Sequence, residues 1–169
     1  LISDHAKGVY QGNELHGNHI GVKVTDNANP TLHTNKITSS VELGLHITDG
    51  AHGEFHENEI YMNSHGGVMI QGQSAPLLQR NRIYNNPKEG LVIEKSGGSY
   101  ERNSVSGNGD TGIKLDLKNS RVLPTNFARN DSHHNVGYGL VKSGDCADMD
   151  GLETNDIHSN EKGNTLEMP

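Results

Sequence analysis

The sequence predicts an all-β fold, a right-handed, single-stranded parallel β-helix (solenoid) of about seven coils with roughly 23 residues in each coil. Three observations predict it. Asparagines recur in two columns at this interval, most coils carry a glycine followed by alternating aliphatic residues, and only 31% of the 169 residues are hydrophobic. Because a solenoid coil buries only a small inner face against its two neighbours, it needs few large apolar side chains.

The asparagine columns predict the bends of each coil. The first Asn stands two residues before a position that is aliphatic in every coil but the sixth, which has Ser132. These asparagines are Asn13, Asn35, Asn58, Asn81, Asn103, Asn130 and Asn155. The second Asn follows five residues later in every coil except the second, which has Ser40: Asn18, Asn63, Asn86, Asn108, Asn135 and Asn160. Asn tolerates bend conformations, and stacked amides can bond from one coil to the next.

Strands are predicted on both sides of these bends. After the second bend, each of the first five coils has a glycine and two aliphatic residues separated by one position, as in 67–70 and 90–93, and 139–142 is a weaker sixth case. Apolar residues at alternate positions are typical of strands, and the segments are too short for helices. Before the first Asn, coils one, three and five have Gly-x-aromatic segments, whereas coils two and four have Pro-x-Leu segments. Two coils are therefore the true repeat unit.

The repeat extends along the chain and predicts a single β-helix domain over residues 1–169. Residues 1–7 match the tail of a preceding coil, because Leu1 to Gly8 spans the same distance as Leu91 to Gly98. We therefore expect the chain to be a fragment of a longer protein. Residues 158–169 are predicted to form an irregular end.

Charge and composition argue against several classes of protein. The net charge of −7 argues against a nucleic-acid partner, which normally requires a basic surface. The chain contains no long apolar run, so no membrane association is predicted. Cys146 is the only cysteine, which excludes an intrachain disulfide and favours a reducing compartment. We therefore expect an intracellular location, cytoplasmic or nuclear.

A family resemblance rests on the repeat itself. The segment 76–83, followed by 90–93 and a Gly-Gly turn, resembles the CASH-type (PbH1) repeats of carbohydrate-binding proteins and sugar hydrolases. The alternation of Pro and Gly is most similar to the substrate-recognition β-helix of F-box proteins and of Shc SH2-domain-binding proteins. This resemblance covers Gly8 to about Ile157 and implies a recognition scaffold, such as the substrate adaptor of a ubiquitin ligase.

The expected centre of the third strand bears on catalysis. The resemblance implies that enzymes with this fold use clustered carboxylates, Arg, Lys or His on an outer strand face. The strand-centre column reads Lys23, His46, Met69, Val92, Lys114 and Val141. It has no carboxylate, whereas glycoside hydrolysis needs a pair of them. The sequence therefore predicts no catalytic residues and favours a non-enzymatic scaffold that binds a protein. The alternative is a module that binds or cleaves polysaccharide as a lyase, epimerase or hydrolase.

Two outward columns supply candidate binding residues. His33 and His56 should stack on adjacent coils with Gln79 beyond them, and the two imidazoles either share a metal ion or lie solvated on the surface. In the other column Tyr61 and Tyr84 stand with three histidines, His16, His133 and His158. These rings either stack on sugars or a partner protein, or pack against each other between coils. His46 of the centre column is a further candidate.

Two longer turns are the remaining candidates. Segments 116–123 and 143–150 are longer than the equivalent turns and should be neighbours in space, where binding residues often lie. The first contains Arg121, and the second contains Asp145, Asp148 and Asp150. The three aspartates either supply oxygen ligands to Ca²⁺ or form a solvated acidic turn, since the spacing lacks the Gly and terminal Glu of an EF-hand loop. No cofactor is predicted beyond this Ca²⁺ alternative.

Overall fold

The computed structural model describes residues 1–144, 146 and 149–168, which form a right-handed parallel β-helix with three sheets. Among the described residues, one sheet has six strands and the other two have seven, and neighbouring strands within each sheet come from successive coils and pair in parallel. The fold class predicted from the repeat is confirmed.

Strands are numbered along the chain and described by sheet. Sheet 1 contains β1 (Val9–Gln11), β4 (Thr31–His33), β7 (Glu54–His56), β10 (Leu77–Gln79), β13 (Gly98–Glu101) and β16 (Pro124–Ala128). Sheet 2 contains β2 (Glu14–His16), β5 (Lys36–Thr38), β8 (Glu59–Tyr61), β11 (Arg82–Tyr84), β14 (Ser104–Ser106), β17 (Asp131–His133) and β19 (Asp156–His158). Sheet 3 contains β3 (Val22–Val24), β6 (Leu43–Ile47), β9 (Gly66–Ile70), β12 (Leu91–Glu94), β15 (Ile113–Asp116), β18 (Tyr138–Ser143) and β20 (Gly163–Met168).

The asparagines form two hydrogen-bonded ladders at the bends on either side of sheet 2. In the first ladder, the Asn58 backbone amide and its Nδ2 both donate to Asn81 Oδ1 at 3.0 Å, and Nδ2 also donates to the Leu32 carbonyl at 2.9 Å. A residue in the left-handed conformation precedes every ladder Asn except Asn155, as Glu57 does at φ 55° before Asn58. The ladder thus satisfies buried backbone groups that the bend would otherwise leave unpaired.

The core fills the space between the inner faces of the three sheets. The inner column of sheet 1 consists of Tyr10, Leu32, Phe55, Leu78, Tyr100 and Phe127, and all but Tyr10 are almost fully buried. Ile60 and Ile83 of sheet 2 are 1% and 0% exposed. Each fully buried aliphatic side chain contributes about 1.5–3 kcal/mol. A few residues per coil therefore stabilise the whole stack.

The Pro/Gly alternation has a steric cause at the entry to sheet 1. Gly53 has a φ of 115° and packs on Pro30 of the preceding coil, where a Cβ on Gly53 would lie 2.5 Å from the Pro30 carbonyl oxygen. Gly98 makes the same approach to Pro76. A side chain has no room above the proline ring, so a proline coil is followed by a glycine coil.

The end of the chain is more regular than the sequence predicts. Residues 163–168 form β20, which pairs with β18, so the prediction of an irregular segment over 158–169 needs correction. The reason is a change of inner residue. Lys142 stands at the register of the buried Leu115, and Glu167 stands beyond it and forms an ion pair with Lys142. The inner positions of β20 are thus polar, so a search for alternating apolar residues does not predict this strand.

Candidate functional site

The outward face of sheet 3 has the centre column that the sequence predicts. Its register aligns Lys23, His46, Met69, Val92, Lys114 and Val141. The next outward column, towards the turn that follows the strand, contains carboxylates. Glu94 is paired in register with Asp116, and Asp116 with Ser143, whose hydroxyl donates to Asp116 Oδ1 at 2.8 Å. From the sequence, only the centre column was considered for catalysis, so Glu94 was not predicted and Asp116 was predicted only as part of the long turn 116–123.

A cleft lies beside this face, and we call it the sheet-3 cleft. Its larger part has a volume of about 400 Å³ and its smaller part about 110 Å³, and the two parts share Glu94. The larger part is lined by Thr48, Asp49, Gln71, Gly72, Gln73, Glu94, Lys95, Asn119, Ser120 and Arg121. The smaller part includes His65, Met69, Glu89, Val92, Lys114 and Asp116. The predicted long turn, with Arg121, therefore forms one wall.

The charged groups of the sheet-3 cleft are largely unpaired. Within the described part of the chain, the side chains of Glu94, Lys95, Lys114 and Arg121 form no hydrogen bond or ion pair. Asp49 differs, because it accepts a hydrogen bond from Thr25 Oγ1 at 2.9 Å. Cations and carboxylates thus face the cleft without internal partners, and they are available to a ligand.

His46 is half-buried in the centre column and contacts Gln71, which lines the cleft. Burial lowers the pKa of its imidazole, and the neighbouring Lys23 lowers it further, although Asp49 and Glu42 act in the opposite direction. The Gln71 amide nitrogen lies 3.1 Å from His46 Nε2 and donates to it, which requires an unprotonated Nε2. The structure therefore favours a neutral imidazole at this position.

His33, His56 and Gln79 align on the outward face of sheet 1, as predicted. The two imidazole rings are 6.5 Å apart at 80°, and each bonds to a different glutamate. His33 Nε2 lies 3.3 Å from Glu57, and His56 Nε2 lies 3.1 Å from Glu54. The rings do not converge on a shared metal position. Over residues 1–144, 146 and 149–168, no group of three or more His, Cys, Asp or Glu side chains is arranged around a metal position.

Tyr61 and Tyr84 on sheet 2 pack against each other rather than presenting their faces. Their rings are parallel within 8° at 4.9 Å, and the Arg82 guanidinium lies 5.2 Å from the Tyr84 centroid. Burial raises the pKa of the Tyr84 phenol, and the nearby Glu59 carboxylate raises it further. The rings are covered by neighbouring coils, so the packing interpretation fits better than a platform for sugar rings.

The second long turn is described only in part. Leu117 N donates to the Ser143 carbonyl at 2.9 Å, so the two long turns begin side by side, as predicted. Asp150 is exposed and begins the seventh coil, because its carbonyl accepts from Phe127 N at 2.9 Å. Asp145 and Asp148 lie outside the described residues, and the Ca²⁺ alternative stays a prediction. No helix in the described part of the chain is long and apolar enough to cross a membrane.

Comparisons with known proteins agree with the fold. A family model described as "Right handed beta helix region" matches residues 1–128. The crystal structure of the periplasmic alginate epimerase AlgG is similar over 99% of this chain and 41% of its own, with a TM-score of 0.74 and 18% identity. The A-module of Azotobacter vinelandii mannuronan C-5 epimerase AlgE6 has a TM-score of 0.61 and 17% identity over 95% of this chain and 58% of its own.

Pectate lyase Pel9A is similar over 92% of this chain and 55% of its own, with a TM-score of 0.58 and 15% identity. The chain thus spans about half the length of these structures. It matches no curated protein sequence. These comparisons support the parallel β-helix, and they do not support the resemblance to F-box or Shc-type proteins.

Proposed function

Because this chain belongs to the right-handed β-helix family, we propose that it is a polysaccharide-binding module that holds an acidic sugar chain in the sheet-3 cleft. The observation that carries the proposal is the difference in charge pairing between the faces. Several outward charges on sheets 1 and 2 pair with each other, as Arg82 and Glu59 do at 3.0 Å. The cleft residues Lys95, Lys114 and Arg121 have no such partners in the described structure.

The side chains of the cleft suit an acidic sugar. The planar guanidinium of Arg121 can hold a carboxylate through two hydrogen bonds, and Lys95 adds a second positive charge on the same cleft. Gln71, Gln73 and Asn119 offer both donors and acceptors to hydroxyl groups. The coils stack about 4.8 Å apart, so successive coils present these groups in a row along the axis.

The solved structures with this fold support the choice of ligand class. They are named as enzymes of alginate, mannuronan and pectate, which are polymers of uronic acids. The proposal for this chain is binding, and the expectation that it lacks catalytic residues stays a prediction. Glu94, Asp116 and the neutral His46 are the groups that a test of turnover would address first.

A protein partner on sheet 1 is the competing proposal. It would contact the outward stripe of His33, His56 and Gln79 and the edge formed by the long turns. The glutamate pairs of both histidines weigh against it, because a partner would have to displace interactions that the stripe already makes. The proposed intracellular location belongs with this alternative.

The test compares two double variants with equal change in charge. Lys95→Asn/Arg121→Gln removes the cleft cations, and asparagine suits the left-handed backbone of Lys95 at φ 45°. Lys36→Gln/Arg82→Gln is the control, since both residues lie exposed on sheet 2 and pair with glutamates. Binding to oligomers of mannuronate, guluronate and galacturonate, with a neutral glucan for comparison, is measured by calorimetry.

We expect the cleft variant to lose at least about tenfold in affinity for uronate oligomers, equivalent to about 1.4 kcal/mol, with the control close to the unchanged chain. Equal losses in both variants would mean unspecific attraction between charges and would reject the cleft. Absence of binding to every oligomer by the unchanged chain would reject the proposed ligand class. Size-exclusion chromatography of the sugar polymer after incubation with the protein shows whether its chain length falls, which would indicate cleavage.

A further inference from the structure

Three histidines gather near the C-terminal end of sheet 2. We call His133, His134, His158 and the adjacent Asp131 the histidine cluster. The His133 and His158 rings are stacked at 5.2 Å and parallel within 8°, and the His134 ring meets His133 edge-on at 4.9 Å. The sheet-3 cleft does not include these residues. The cluster is therefore separate from the proposed polysaccharide site.

The fold creates the cluster through strand register and one bend. His133 and His158 are paired across β17 and β19, so their side chains leave the same face one coil apart. His134 is the left-handed residue of the second bend, with a φ of 54°. This conformation turns its ring back against His133, and the two Nδ1 atoms lie 2.7 Å apart.

Asp131 orients the other ring nitrogens. Its Oδ2 lies 3.6 Å from His133 Nε2, and its Oδ1 lies 3.4 Å from His158 Nε2. Oδ1 is buried and forms no hydrogen bond of good geometry. Histidines that bind metals commonly direct their second ring nitrogen at a carboxylate, which leaves the first nitrogen as the ligand. In this arrangement Nδ1 of His133 is the nitrogen left for a ligand.

We propose that the histidine cluster binds one divalent transition-metal ion of the class that imidazole prefers, such as Zn²⁺, Ni²⁺ or Cu²⁺. Nδ1 of His133 and Nδ1 of His134 are the first two ligands, and His158 supplies the third. The two Nδ1 atoms, 2.7 Å apart, share a proton, and the metal ion takes its place while the proton passes through water to Nε2 of the ring that carried it. Asp131 is a positioning residue, and Asp156 stands beside it in register and adds negative charge to the face.

The site needs a small rearrangement to form. His158 Nδ1 faces Ser159 Oγ at 3.0 Å and has to rotate towards the other two rings. The His133–His134 pair also has to open slightly, because zinc–nitrogen bonds are about 2.0–2.1 Å long. In the described part of the chain, these side chains are thus not yet arranged around one metal position.

His33 and His56 are the matched comparison. They also lie one coil apart on an outward face, but their rings are 6.5 Å apart and each Nε2 bonds to its own glutamate. The double variant His33→Gln/His56→Gln thus removes two imidazoles without touching the cluster. His134→Asn removes one ligand and keeps a residue that tolerates the left-handed backbone.

The experiment is titration of the whole chain with ZnCl₂, followed by calorimetry and by NMR of the histidine side chains. We expect binding of one equivalent, with shifts confined to the resonances of His133, His134 and His158. His134→Asn or His133→Gln should weaken binding at least about tenfold, and Asp131→Asn about 10- to 100-fold. His33→Gln/His56→Gln should leave affinity unchanged. Thermal melting of each variant checks that it folds. If His133→Gln does not fold, His134→Asn alone tests the loss of a ligand.

Two results would overturn the proposal. One is the absence of saturable binding to the unchanged, folded chain. The other is a set of shifts spread over all histidines, with the same loss of affinity in the His33/His56 variant as in His134→Asn. Either result would reduce the cluster to stacking of imidazoles between coils.

Discussion

Ser40 is the one residue of the second ladder that is not an asparagine. Its backbone amide still donates to Asn63 Oδ1 at 3.0 Å, but its buried hydroxyl has no hydrogen-bond partner among the described residues. In the next coil, Asn63 fills the same place beside Gly44 and donates both to Asn86 Oδ1 and to the Ile37 carbonyl. Ser40 therefore leaves a gap in the bonding of coil one to coil two.

Ser40→Asn should raise the free energy of unfolding by about 1 kcal/mol, because a ladder amide replaces an unpaired hydroxyl. For a chain of this size, such a gain raises the melting temperature by about 2–4 °C. Calorimetric melting measures it. Ser40→Ala is the control, since it removes the hydroxyl without adding an amide, and it should gain less. A lower melting temperature for Ser40→Asn than for the unchanged chain would mean that the amide does not fit beside Gly21.

For single residues, the sequence predicted which positions align in a column along the stack better than it predicted the contacts of their side chains. The inward and outward assignment of His33, His46 and Tyr61 followed from the period-two alternation of side chains along a strand. Glu94 and Lys95 were not predicted as site residues because they lie where a strand ends and a turn begins, beyond the repeating apolar pattern. Which charges pair and which stay unpaired depends on side-chain distances, and a repeat pattern does not contain them.

At the scale of strands and turns, the contact between proline and glycine coils organises the entry to sheet 1. The sequence showed the alternation, but its cause is a distance between backbones of adjacent coils. Gly53 approaches Pro30 so closely that even a methyl group has no room. Gly12 offers a contrast, because it also has a positive φ, at 66°, but has no atom within 4 Å of a Cβ position.

Gly53→Ala should therefore destabilise the chain more than Gly12→Ala. The latter has only the cost of a left-handed backbone, about 1–2 kcal/mol. Gly53→Ala adds a clash with Pro30 to a backbone region that costs about 1–3 kcal/mol by itself. Chemical denaturation of both variants measures the difference, which we expect to be about 2 kcal/mol. Equal costs would show that the two coils can move apart and that the close contact is not required.

On the scale of the whole molecule, the two ends of the stack differ in polarity. At the first coil, Leu1 is 84% exposed and the inner residue Tyr10 is 40% exposed. At the last coil, the inner register of β20 has Thr165 and Glu167 in place of aliphatic residues. Apolar inner residues that lie open to water favour association, whereas polar ones do not. The sequence predicted that the chain begins with the tail of a preceding coil, whereas the polar inner register of β20 does not show in the apolar pattern.

We expect the isolated chain to self-associate through its first coil at high concentration. Tyr10→Ser should reduce the association, measured by sedimentation velocity, because it removes an exposed inner ring. Val136→Ser is the control, since Val136 is 43% exposed on the side of the stack. Hydrogen exchange should be faster in β1–β3 than in β7–β9. A monomer at all concentrations, with uniform protection from exchange, would contradict this expectation.

The proline–glycine contact also limits how such a chain can grow or shrink by duplication and deletion. Excision of residues 30–75 would place Pro76 after the coil of Gly8, which is the same succession that Pro30 makes in this chain. Excision of 53–75 alone would set Pro76 directly on Pro30, where the structure has a glycine. Recombination that changes the number of coils therefore preserves the proline–glycine contact only when coils are added or removed two at a time. A lineage or an engineer altering the length of this solenoid would move in steps of two coils.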